Sequence, residues 1–81
     1  MSDSRHEIHD GLTQAAANMR AKNFDEALAE MTRLNNRFTI PQMPSLIDRA
    51  RELKREKDLT DEDLAPIAQD MERVAKEMGP S

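Results

Sequence analysis

His6 and His9, flanked by Glu7 and Asp10, are the one cluster in this chain with metal-ligand chemistry. Histidines three positions apart share a helical face and can hold a metal between them. A closed site needs more nitrogen or sulfur ligands, and the chain has two histidines and no cysteine. The pair also falls in the first turns of a helix, where a solvated end is the simpler reading. No metal is expected.

Carboxylates that work as an acid–base pair must be buried enough to separate their pKa values. Asp61, Glu62 and Asp63 form the densest cluster, but they stand where a helix begins, and the positive end of the helix dipole accounts for them. No histidine is placed to activate a Ser or Thr on any inferred face. Gly11 and Gly79 are isolated, so there is no glycine-rich phosphate loop. The absence of cysteine removes a thiol nucleophile, a thiolate zinc site and a disulfide framework together. No catalytic residue, no cofactor and no enzymatic activity are expected.

The charges are more informative. The formal net charge is -4, but it is unevenly placed. Residues 1–32 carry three positive and six negative side chains, residues 33–57 seven positive and three negative, and residues 58–81 two positive and seven negative. A basic middle between acidic ends is the strongest electrostatic feature of the chain. Arg33 and Arg37 lead into it, and Arg49, Arg51, Lys54, Arg55 and Lys57 follow. A nucleic-acid face would have such charges clustered and uncompensated. Here Asp48, Glu52 and Glu56 interleave, with Asp48–Arg51 and Glu52–Arg55 spaced to screen one another. The chain has no Trp or Tyr and only Phe24 and Phe38 as phenyl rings, so no aromatic residue is expected to stack on bases. Nucleic-acid binding through the basic helix is the second reading, behind a charged face that meets a protein.

Four segments carry apolar residues at helical spacing, and none alternates with the period of a strand. The first holds Ile8, Leu12, Ala15, Ala16 and Met19; the second Phe24, Ala27, Leu28, Met31 and Leu34. Asn23 is placed to cap the second, and the short stretch between the two forces an antiparallel hairpin. The third holds Met43, Leu46, Ile47, Ala50 and Leu53. The fourth, with Leu64, Ile67, Ala68, Met71, Val74, Ala75 and Met78, is the most complete stripe. Pro41 and Pro44 break the chain between the second and third segments, because residues before proline leave the helical region. Phe38 and Ile40 are expected to plug one end of the bundle. Thr60 followed by Asp61–Asp63 is an N-terminal signature, with Leu59 and Leu64 as a hydrophobic staple. Pro66 argues for a loose turn from about Asp61 and a regular helix from about Leu64, which keeps the proline in the first turn.

The spacing therefore predicts helices near 4–21, 24–37, 44–57 and 63–78, in one all-α domain over 1–81. The expected architecture is a small bundle of about four amphipathic helices with antiparallel neighbours. Residues 8–41 also resemble a single tetratricopeptide repeat, through Ala15, the run Asn23-Phe24-Asp25-Glu26-Ala27, and Pro41. No second copy follows one period later, and such repeats need about three neighbours. The hairpin is read as an ordinary helical hairpin.

With 2% aromatic residues the core must be built from Leu, Ile, Met and Ala. Each gains roughly 25 cal/mol per Å² of buried apolar surface, and a folding balance this narrow is often completed by self-association. A homo-oligomer is expected on that ground. Five methionines on the apolar stripes read chiefly as core filler, although methionine-bearing surfaces also adapt to partners. The chain lacks the apolar run of a signal peptide and the ~18 consecutive apolar residues of a membrane span, which predicts a cytoplasmic protein away from membranes. The functional expectation is a small protein–protein interaction module: an adaptor, regulator or inhibitor. Its contacts are expected at Met71, Val74 and Met78 on the long fourth stripe, and at Arg51, Lys54 and Arg55 on the third helix.

Overall fold

The computed structural model describes residues 4–78, and of Ser4 and Met78 the backbone alone. Four helices follow one another: α1 (Ser4–Arg20), α2 (Phe24–Arg37), α3 (Met43–Arg55) and α4 (Asp61–Met78). No strand occurs among the described residues. The all-α bundle predicted from periodicity is the fold.

The turn between α1 and α2 is closed by the backbone. The Lys22 N–H donates to the Met19 carbonyl at 3.0 Å and the Asn23 N–H to the Asn18 carbonyl at 2.8 Å. That is the Schellman arrangement, and it requires a left-handed residue at Lys22, where φ is 66°. Asn23 stands at the N-cap of α2, but its side chain makes no capping bond. The acidic first-turn residues Asp25 and Glu26 are left to balance the dipole there. Pro44 sits in the first turn of α3, where its missing N–H costs nothing.

Two predicted boundaries are corrected. Helix α3 ends at Arg55, with Glu56 extended and Asp58 left-handed at φ 60°, so Lys57 lies beyond the helix. Helix α4 starts at Asp61, not near Leu64, and Pro66 lies inside it. The cause is a reciprocal cap. The Thr60 N–H donates to the Asp63 carboxylate at 3.0 Å, and the Asp63 N–H reaches the Thr60 hydroxyl at 3.4 Å. This cap fixes the start three residues earlier, and the proline is tolerated in the second turn. Its only local loss is a donor for the Glu62 carbonyl, on an exposed stretch where water can reach. Leu59 and Leu64 are both in the core, as a staple requires.

Consecutive helices run antiparallel. Glu7 and Gly11 of α1 meet Arg37 and Leu34 of α2, Asp25 of α2 meets Lys54 of α3, and Arg49 of α3 meets Asp70 of α4. Helix α1 is central, with its most extensive packing against α4 and then α2; α3 leans on α2 and only lightly on α4. Gly11 permits the α1–α2 approach, since a Cβ there would lie 2.7 Å from Leu34 Cδ1. Small residues do the same for α1 and α4. Ala16 lies on the stripe of α1 that carries His9 and Arg20, and Ala68 and Ala75 on the stripe of α4 that carries Glu72. The His9 Nδ1–H donates to the Ala75 carbonyl at 3.1 Å, and Arg20 grips Glu72 through two bonds of 2.7 and 3.1 Å.

The core is aliphatic, as the composition requires. Among the described residues no polar or charged side chain is buried. Ile40 is buried and Phe38 half-buried at one end of the bundle, with the Arg37 guanidinium 5.3 Å from the Phe38 ring centre. The radius of gyration is 12.0 Å, close to the roughly 12 Å of a compact chain this long. No helix of the described residues is long and apolar enough to cross a membrane.

Candidate protein-binding surface

The apolar half of the expected surface is used up inside the fold. Met71 is fully buried and Val74 is 6% exposed, both in the common core with Leu64, Ile67, Ala68 and Ala75. The expectation that they meet a partner is corrected. From Leu64 to Ala75 the stripe of α4 faces α1 along one edge and α3 along the other, and its apolar residues there are buried. The side chain of Met78 lies outside the described residues.

The charged half is on the surface. Arg51, Lys54 and Arg55 are all exposed on α3, but they are not equivalent. Lys54 is bound to Asp25 of α2. Arg51 and Arg55, one turn apart, have neither an ion pair nor a side-chain hydrogen bond within the described residues. Every other arginine there is engaged. Arg20 pairs with Glu72, Arg33 with Glu30, Arg37 with Glu7, and Arg49 and Arg73 both with Asp70, while Arg5 also has a partner. The local screening predicted from spacing, Asp48 to Arg51 and Glu52 to Arg55, does not form within 4 Å.

Helical spacing sets the order around α3. Leu53 lies toward α4, then come Glu52 and Glu56, then Arg51 and Arg55, and Ile47 returns to the core. The outer face of α3 thus has an acidic edge and a basic edge side by side. Its tie to α4 is Arg49, which donates to Asp70 at 2.6 Å. That bond holds the Asp70 carboxyl below its ordinary value, aided by the charges of Arg49 and Arg73 and opposed by partial burial. The guanidinium of Arg20 is likewise held above its ordinary value by the bonds it donates to Glu72.

The residues with possible chemistry are dispersed. His6 is exposed, and His9 is turned toward Ala75 at the α1–α4 seam. Asp63 of the acidic cluster caps α4. Among the described residues no three His, Cys, Asp or Glu side chains come together as a metal site. No protein-family model, no curated protein and no solved structure matches this chain.

Proposed function

We propose that the chain is a small protein-binding module, an adaptor, regulator or inhibitor working in the cytoplasm, which meets its partner through the outer face of α3. The observation that carries this reading is the pair Arg51 and Arg55, exposed and unengaged in a fold that occupies its other described arginines. Arginine is favoured at protein interfaces because its planar fork meets carboxylates in two bonds. The neighbouring Glu52 and Glu56 favour a partner of mixed charge over a phosphate backbone, which they would repel. Action by binding rather than by catalysis fits a chain in which no described carboxylate is buried, since acid–base work at neutral pH relies on such burial. A second copy as partner would meet this charged face, since the described α4 stripe is internal.

The test is capture from the native host's lysate with the wild-type chain and with an Arg51→Glu/Arg55→Glu variant. A protein retained by the first and lost from the second is the expected result. Binding of a duplex or a single strand, with affinity falling steeply with salt and flattened by the same variant, would overturn it in favour of nucleic acid.

A further inference from the structure

Between α3 and α4, where the bundle is packed least, there is an open depression of about 200 Å³. Its floor is apolar: Leu53, half-buried although it belongs to the apolar stripe of α3, with Pro66 and Ile67 of α4. Its rim is acidic: Glu52 from α3, Glu56 just past the end of α3, and Asp63 from α4. None of the three has a cationic partner among the described residues. Arg49, at the inner end, is occupied by Asp70.

The dimensions and chemistry restrict what fits. The depression, at about 200 Å³, is smaller than the roughly 300–1,000 Å³ of small-molecule sites. A single large apolar side chain suits the floor, in the way that buried anchors fill pockets at the centre of protein interfaces. Glu52 and Glu56, exposed and without a cationic partner among the described residues, ask for cations beside that anchor, while Asp63 already accepts from the Thr60 N–H and hydroxyl.

We propose that this depression is a docking pocket for a protein segment presenting one large apolar side chain flanked by Lys or Arg. The proposal rests on the protein-binding reading and makes it specific. Basic residues of the segment meet Glu52, Glu56 and Asp63, while acidic residues farther along meet Arg51 and Arg55. The two edges of α3 then fix the direction in which the partner lies, as complementary charge patterns do.

An NMR amide-shift titration tests it, with three blocked peptides as probes. The first has a central Leu between paired lysines, the second Ala in place of that Leu, and the third glutamates in place of the lysines. The first peptide should shift the amides of Leu53, Glu56, Asp63 and Ile67 saturably. The Ala peptide should bind about tenfold more weakly or worse, and the Glu peptide should leave these amides unmoved. In a Glu52→Lys/Glu56→Lys variant, changed only at exposed positions, the first peptide's shifts should be lost while the thermal melt stays that of the wild type. Equal binding of the Leu and Ala peptides, or shifts mapping away from the pocket, overturns the proposal. If the natural partner is captured by the Glu52→Lys/Glu56→Lys variant as well as by the wild type, the pocket is excluded and the protein-binding reading stands. If no protein is captured and nucleic acid binds, both fall.

Discussion

Helix α4 meets α1 and α3 in two different ways. Against α1 the stripe of Ala68 and Ala75 lets the backbones approach, and the seam is sealed by His9 at the Ala75 carbonyl and Arg20 on Glu72. Against α3 the contact is slight, and the Arg49–Asp70 pair spans a gap floored by Leu53, Pro66 and Ile67. One side of the helix is thus spent on stability. The other keeps a half-exposed leucine, an acidic rim and, across α3, two unengaged arginines. Small side chains accompany the extensive α1–α4 packing, while the slight α3–α4 contact carries the long charged pair Arg49–Asp70.

Substitutions can break that contrast, beginning with the largest expected effect. Met71→Ala empties a fully buried position and should cost about 2–5 kcal/mol. In a domain of this size that lowers the thermal midpoint by on the order of 10 °C or more. Leu53→Ala, on the open side, should cost only about 1 kcal/mol, because much of the side chain already faces water. Equal losses in thermal melts would mean that the two sides are packed alike.

Pro66→Ala should move stability the other way, by about 1 kcal/mol or more, since it restores an N–H to the Glu62 carbonyl in the second turn of the helix. An unchanged melt would place the start of α4 near Leu64, with the proline harmless in its first turn. Asp70→Asn removes the bridge across the gap and should cost about 1 kcal/mol or less, as partly exposed ion pairs do. The sign with pH is fixed. The folded-state pKa of Asp70 lies below its ordinary 3.8, so its contribution is present above that value and fades as pH falls through the folded pKa. The difference between wild type and variant, followed by thermal melts, should therefore be larger at neutral pH and shrink in acid below the ordinary carboxylate range.

The contrast between the two sides also separates what is legible in the sequence from what is not. Four helices follow from apolar spacing, and the buried sets of α1, α3 and α4 are nearly those the periodicity picks out. The start of α4 is missed because two local signals compete there. The Thr60–Asp63 cap outweighs the preference of Pro66 for a first turn. Whether the α4 stripe is closed or open is not a property of α4 alone, for it depends on how many neighbours the fold supplies, and periodicity by itself leaves Met71 and Val74 as available to a partner as to the core. The engagement of the charges is only partly local: Glu30–Arg33 and Asp70–Arg73 form within one turn, but the other pairs cross between helices. Arg20 finds Glu72, Arg37 finds Glu7 and Lys54 finds Asp25 across helix interfaces. The sequence-local pairs Asp48–Arg51 and Glu52–Arg55 do not form. Arg51, Lys54 and Arg55 read alike as three basic residues on one helix, and only the packing of α2 beside α3 singles out Lys54 as occupied.

The central claim is that partners meet α3 while α1 serves the core. Site-specific photo-cross-linking in living host cells tests it most directly, with the reactive residue at exposed Glu52 of α3 or at exposed Ala17 of α1. A discrete protein adduct from position 52, absent from position 17, is the predicted result. The same adduct from both positions, or a nucleic-acid adduct from position 52, would contradict it.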